Sequence, residues 1–221
     1  MKPEIIFENR HDAGRKLAEH LTQYQSKPVV VLAIPNGGVP IGLEVARALN
    51  AELDVVISRK IPMPLSPEGG FGAIADDGTM ILNEEIVKKI GLTMSQIDYE
   101  ANKVRAVIKQ RTLLYRGNRP LTRVLGKTVI VIDDGLASGI TMKAAVESIR
   151  HRRPKEIIVA VPTASTTALA SMYGVADRIV TSAKGEPPFA IADYYRHWYD
   201  VPDDEVVKIL ENWRAEQLMK A

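Results

Sequence analysis

Short apolar runs and helical patterns alternate along most of the chain. Five runs, residues 28–34, 53–58, 128–132, 156–161 and 178–181, are four to seven residues long, rich in Val and Ile, and apolar at consecutive positions. Strands covered on both faces read this way, whereas half-exposed strands alternate. Between them the spacing predicts helices over 12–24, 39–49, 93–115 and 141–151. Thr93 and Gln96 stand at capping-box spacing ahead of the longest. Strands alternating with helices predict an α/β fold, an open, mostly parallel, doubly wound sheet with helices on both faces.

One stretch breaks the alternation. IPMPLSPEGGFG (61–72) is dense in proline and glycine and reads as neither helix nor central strand. AIADDGTMILN (73–83) then places Asp77-Gly78 between two short apolar runs, a hairpin signal. An excursion of that length from a compact sheet suits a flexible lid or binding loop, about residues 61–82.

Composition narrows the classes. The chain has 221 residues, 46% hydrophobic and 25% charged, which suits a single globular domain over 1–221. A net charge of +2 makes no case for a nucleic-acid or membrane partner. The absence of cysteine removes thiol nucleophiles, disulfides and cysteine metal sites. The N-terminal ten residues lack a signal-peptide core, and the longest apolar run is too short to span a bilayer, so a cytoplasmic protein is expected. Residues 126–128 are Gly-Lys-Thr, but Leu121 stands where a P-loop needs glycine and Thr128 opens a strand. The four histidines show no metal-ligand spacing. The basic residues Lys103, Arg105, Lys109, Arg111 and Arg116 read as a largely solvated helix face, and those at 150–155 as a helix C-terminus.

The chemistry concentrates in TVIVIDDGLASGITM (128–142). A buried strand ends at Asp133 and Asp134, and a loop of small residues then feeds a helix. Ligands of open α/β sheets bind outside the carboxyl ends of the strands. The helix N-terminus, with Ser138 and Thr141, offers a phosphate cradle, and the carboxylates would accept from vicinal hydroxyls. A sugar phosphate fits both halves, and two acids before a glycine are also ordinary turn chemistry.

VIVIDDGLASGITM resembles the phosphoribosyl pyrophosphate (PRPP) signature of the type I phosphoribosyltransferases, and two further segments resemble that family in the same order. AIPNGGVPIGLEVARAL (33–49) is similar to its pyrophosphate loop, and VVISRKIPMP (55–64) to the next strand end with its basic residue. Over the whole chain the resemblance is to a bacterial and archaeal group of predicted phosphoribosyltransferases. The resemblance implies transfer of phosphoribosyl from PRPP to a nitrogenous acceptor, a nucleobase, in a nucleotide-salvage role, with Mg²⁺ as cofactor and a homodimer as assembly. It assigns the ribose hydroxyls and Mg²⁺ to Asp133 and Asp134. The 5-phosphate falls to Ala137, Ser138, Gly139, Ile140 and Thr141, and pyrophosphate to Asn36, Gly37, Gly38, Arg59 and Lys60. A hood over about 183–221 would cover the acceptor, with Phe189, Tyr194 and Asp193 as contacts. Two positions depart from the pattern: Asn36 stands where relatives often carry a basic residue, and Ala137 where oxopurine enzymes carry an aspartate. The lid residue Glu68 is then the candidate for proton handling. Two other readings stay open: a PRPP-sensing regulator that binds RNA or DNA, and a metal-dependent phosphohydrolase.

Overall fold

The computed structural model describes residues 5–64 and 66–219, without the side chains of 66–68. In chain order the elements are α1 (Arg10–Glu19), β1 (Val29–Ala33), α2 (Gly38–Leu49), β2 (Glu52–Val55), β3 (Ser58–Met63), β4 (Ser66–Ala75) and β5 (Met80–Leu82). There follow α3 (Glu84–Ile90), α4 (Met94–Arg116), β6 (Thr128–Ile132), α5 (Ile140–Arg150), β7 (Glu156–Ser165), α6 (Thr166–Ser171), β8 (Arg178–Gly185) and α7 (Asp203–Leu218).

Five strands form one sheet in the order β2-β1-β6-β7-β8, every pair parallel. The sheet is apolar on both faces because both are covered. Val31 and Ala33 of β1 face a core with Leu17, Ile41 and Leu210 from α1, α2 and α7. Val30 and Leu32 face the opposite core with Met142, Val146 and Ala168 from α5 and α6. The expected doubly wound α/β architecture is present. From β1 the chain winds one way to β2, and from β6 the other way to β7 and β8. The winding reverses between β1 and β6, the place where such sheets open a crevice.

The stretch at 53–58 is two strands. β2 ends at Val55, and Ser58 begins β3 in a second, three-stranded antiparallel sheet of order β3-β4-β5. The proline- and glycine-rich stretch therefore does contain a central strand, β4, contrary to its sequence reading. Three features permit it. Pro62 lies on the edge strand β3, where a missing N–H is tolerated, and the register shifts on either side of it. Gly70 and Gly72 pass so close to their neighbours that a Cβ would lie 2.3 Å from Lys60 Cγ and 2.7 Å from the Ile81 carbonyl oxygen. The turn at Asp77-Gly78 forms as expected, with Gly78 at φ 92° and Asp77 accepting from the Thr79 N–H and hydroxyl.

The base of this hairpin belongs to the main core. Ile61, Phe71 and Ile74 are fully buried with Ile97 and Ala101 of α4. Ala73 and Ala75 close against Ala144 of α5. The capping box at Thr93 and Gln96 is present at the start of α4. The C-terminal segment divides in two. Phe189, Tyr194 and Tyr195 join Phe7 and Ala13 in a small separate cluster, whereas α7 returns to the main core through Val206, Leu210 and Trp213. Arg116 is not on a solvated face. It is 6% exposed, donates to the Val55 carbonyl at 2.8 Å, and lies 3.8 and 3.6 Å from Asp54 and Asp76.

Phe71→Ala tests whether the hairpin base is structural. Removing a fully buried phenylalanine costs about 3–5 kcal/mol, which lowers Tm by roughly 6–20 °C in a chain of this size. A hairpin that merely lay on the surface would leave the calorimetric Tm within about 2 °C of wild type.

Candidate active site

Ala33 of β1 pairs with Ile132 of β6 at the last register position, so both chains leave the sheet side by side. The turn Pro35–Gly38 and the acids Asp133–Asp134 are thereby neighbours. Packing is tight enough to demand glycine at two positions. A Cβ on Gly37 would sit 1.9 Å from Asp134 Oδ2, and one on Gly38 would sit 2.7 Å from the Ile132 carbonyl oxygen. Ser58, at the start of β3, donates its hydroxyl to the Thr141 carbonyl at 2.8 Å. That bond ties the strand carrying Arg59 and Lys60 to the loop at 137–141. All four expected binding segments thus meet at one end of the sheet.

The loop at 137–141 is held from behind and open in front. Leu136 bridges to β7 through bonds with Thr163 and Ser165, and the Ser165 hydroxyl donates to the Ala137 carbonyl. Gly139 adopts φ 78° at the N-terminus of α5, which no side chain caps, and Ala137 and Ser138 are exposed. Uncapped N–H groups at a helix start suit a phosphate.

Asp134 is positioned by a residue that sequence reasoning missed. Arg10, at the start of α1 and 3% exposed, donates to Asp134 Oδ2 from Nε at 3.1 Å and from Nη2 at 2.9 Å. Its Nη1 donates to the Tyr199 carbonyl at 2.7 Å, and its guanidinium lies 4.0 Å from the Trp198 ring centroid. The Tyr195 hydroxyl donates to the Asp134 carbonyl at 2.7 Å. The Asp134 N–H donates to Asp133 Oδ1 at 2.8 Å. Burial raises the pKa of both acids. The Asp134 charge pushes Asp133 up further, well above the usual range, while Arg10 counters the rise at Asp134.

These contacts engage Asp133 Oδ1 and Asp134 Oδ2, and the two acid side chains also bond to each other. Among the described residues no three His, Asp or Glu side chains gather as a metal site. The donor set therefore fits a hard cation that takes most of its oxygens from a phosphorylated substrate and water, as Mg²⁺ commonly does.

The remaining expected residues divide. Asn36 turns its side chain away from the crevice: its Nδ2 donates to the Val201 carbonyl and to Asp203 Oδ1, both at 2.8 Å, and its Oδ1 lies 2.9 Å from the Tyr115 hydroxyl, whose proton goes to Asp203 Oδ1. Its backbone remains in the turn. Arg59 and Lys60 line a cleft of about 430 Å³ beside Pro35. Tyr194 is 4% exposed and packs on Phe189 at 5.4 Å, under Gly185, so its ring serves the hood's own core. Phe189 is half-buried and Asp193 exposed. The hood does abut the acids, since a Cβ on Gly135 would meet Ile191 at 2.7 Å. The Glu68 side chain lies outside the described residues.

The acid pair has a measurable consequence without ligand. Asp133 in the folded chain keeps its proton to a higher pH than in the unfolded chain, where ionisation occurs near 3.8. Below that value both states are protonated and burial carries no charge penalty. As pH rises the unfolded state ionises first, and folded stability falls until Asp133 also ionises. Asp133→Asn should therefore raise the Tm of ligand-free protein at pH 7.5, by about 2–4 °C for each kcal/mol of repulsion relieved, and the gain should vanish toward pH 3.5. An equal shift at both pH values would refute the charge origin.

Comparison with known proteins agrees with this geometry. Residues 4–179 match the phosphoribosyl transferase domain model, a span that includes the crevice segments and stops before the aromatic hood. The "Putative phosphoribosyl transferase Rv0571c" of Mycobacterium tuberculosis is 38% identical over 206 residues, covering 93% of this chain and 46% of that protein. The chain thus spans about half the length of the curated relatives it matches. The crystal structure of TT1426 from Thermus thermophilus superposes with a TM-score of 0.77 at 35% identity, covering 94% of this chain and 99% of that one. The structure of AQ2163 from Aquifex aeolicus, at 12% identity and a TM-score of 0.52 over 80% of this chain and 75% of that one, shares the fold. The chain belongs to the phosphoribosyl transferase domain family.

Proposed function

We propose that the protein transfers the 5-phosphoribosyl group of PRPP to a ring nitrogen of a nucleobase-class acceptor and releases pyrophosphate. The observation that carries this reading is the convergence of a glycine turn, an acid pair and an uncapped helix N-terminus where the sheet winding reverses. The loop at 137–141 holds the 5-phosphate through its N–H groups and the hydroxyls of Ser138 and Thr141. Asp133 and Asp134 accept from the 2- and 3-hydroxyls, and the backbone of 36–38, with Arg59 and Lys60, takes the pyrophosphate. In the reaction the bond from C1 to the pyrophosphate oxygen breaks with its electron pair leaving on pyrophosphate. The acceptor nitrogen then bonds to C1. No side chain bonds covalently to the sugar. The acids stabilise the positive charge that develops on the ribose ring, and positioning supplies much of the rest. Mg²⁺, when bound at Asp133 and Asp134 with the substrate, neutralises pyrophosphate charge. The hood from Phe189 onward is the acceptor side, and the same reading takes the protein as a cytoplasmic homodimer without a nucleic-acid partner. No helix among the described residues is long and apolar enough to cross a membrane.

PRPP with Mg²⁺ should raise Tm, because a ligand that binds only the folded state stabilises it by about 2.7 kcal/mol at a hundredfold excess over Kd. Pyrophosphate release across a panel of nucleobases names the acceptor. Asp133→Asn should lower that turnover by about a hundredfold or more, with PRPP affinity reduced far less because the phosphate loop is intact. Tight PRPP binding with no release on any base would overturn transfer in favour of sensing.

A further inference from the structure

The cleft beside Pro35 carries more positive charge than the family's motif segments bring to it. Arg59 and Lys60 enter from β3, and Lys103 and Arg111 enter from α4. The carboxylate in the lining, Glu100, is already bound by Lys103 at 2.6 Å. Arg59 is half-buried there, and burial together with the adjacent Arg111 charge pushes its pKa down. A half-buried cation crowded by a second one attracts an anion. The turn at 35–38 adds no cation of its own, since Asn36 occupies the position and its side chain is engaged elsewhere.

Arg111 is the member of this set that can move. It lies 3.5 Å from Asp203 Oδ1, a loose ion pair rather than a hydrogen bond of normal length. The same oxygen already accepts from the Tyr115 hydroxyl at 2.6 Å and from Asn36 Nδ2 at 2.8 Å. The Tyr115 bond first, then the Asn36 bond and the Arg111 charge, hold the Asp203 pKa below its usual value against burial. Asp203 is therefore satisfied if Arg111 leaves. A partly exposed guanidinium with a weak partner, beside a basic cleft, is set to bind phosphate bidentately.

We infer that α4 completes the diphosphate site. Arg111 turns from Asp203 to the outer phosphate of pyrophosphate, or of the pyrophosphate end of PRPP, and supplies the cation that Asn36 does not. This rests on the PRPP reading and extends it to a residue outside the motif segments. Two cations from β3 and one from α4 would hold the leaving group on two sides, while Lys103 stays with Glu100.

The test is calorimetric binding of two probes, inorganic pyrophosphate with Mg²⁺ and ribose 5-phosphate, which lacks the diphosphate. Arg111→Ala should weaken pyrophosphate about tenfold or more, the loss of one charge-assisted contact, and leave ribose 5-phosphate within about twofold. Arg111→Lys should fall between, keeping the charge without the fork. Lys109→Ala removes one charge from the exposed side of the same helix and should leave both affinities within about twofold. Pyrophosphate affinity unchanged in Arg111→Ala, no pyrophosphate binding by wild type, or a parallel loss of ribose 5-phosphate would each overturn the inference. Arg111-dependent pyrophosphate binding with no pyrophosphate released from PRPP on any base would leave it standing and remove the transferase reading instead.

Discussion

The site depends on two adjacent acids packed at the end of a strand, one of them held by a buried arginine. Burial favours the neutral form of both, and the Asp134 charge pushes Asp133 further that way. Arg10 is what counters this at Asp134, through two hydrogen bonds to one oxygen. The arrangement has a local cost, since a cation at the first turn of α1 opposes the helix dipole. The chain offsets that within the same turn: Asn9 caps the Asp12 N–H, and Asp12 accepts from the Glu8 N–H. A buried ion pair is weak evidence for stability, but it fixes geometry, because either charge left alone in that environment is unfavourable. This guanidinium ties the N-terminal helix to the site and joins the Tyr195 hydroxyl in tying the hood to it, since it also binds the Tyr199 carbonyl and stacks on Trp198.

What the sequence made legible follows from locality. The strands of the parallel sheet, the capping box at Thr93 and the Asp77-Gly78 turn are each specified within a few residues, and each formed. The acids and glycines of the crevice were legible because close backbone approach restricts residue type over a short stretch. Arg10 was not, since its partner is 124 positions away and an arginine opening a helix carries no signal of where its guanidinium will go. The same holds for Arg111 and Arg116, both assigned to a solvated face although one lines the cleft and the other is buried among Asp54, Asp76 and the Val55 carbonyl. The proline- and glycine-rich stretch misled for a different reason. Propensity there argues against a strand, and tertiary packing overrides it, with glycines at 70 and 72 making room for Lys60 and Ile81. The helix α7 did carry a signal, three acids in its first turn and buried Val206, Leu210 and Trp213 at helical spacing, which the aromatic cluster before it overshadowed.

The two departures from the family pattern have different standing in the folded chain. Asn36 is compensated structurally. Its side chain closes a network with Tyr115 and Asp203 that fastens the turn to α4 and to the start of α7. The polar atoms a basic residue would have carried into the cleft are instead used to hold the turn's shape, and the cleft draws its charge from β3 and α4. For Ala137 no such compensation is present among the described residues, which leave out the Glu68 side chain. The nearest polar contact of that position is the Ser165 hydroxyl on its own carbonyl, a neutral group behind the loop.

The hood's two buried tyrosines do not supply a replacement base. Tyr194 is buried against Phe189, and Tyr195 is spent on the Asp134 carbonyl, with burial raising its pKa beyond use as a base near neutrality. On the transferase reading Ala137 takes no proton from the acceptor nitrogen, and that role stays with Glu68 or with solvent.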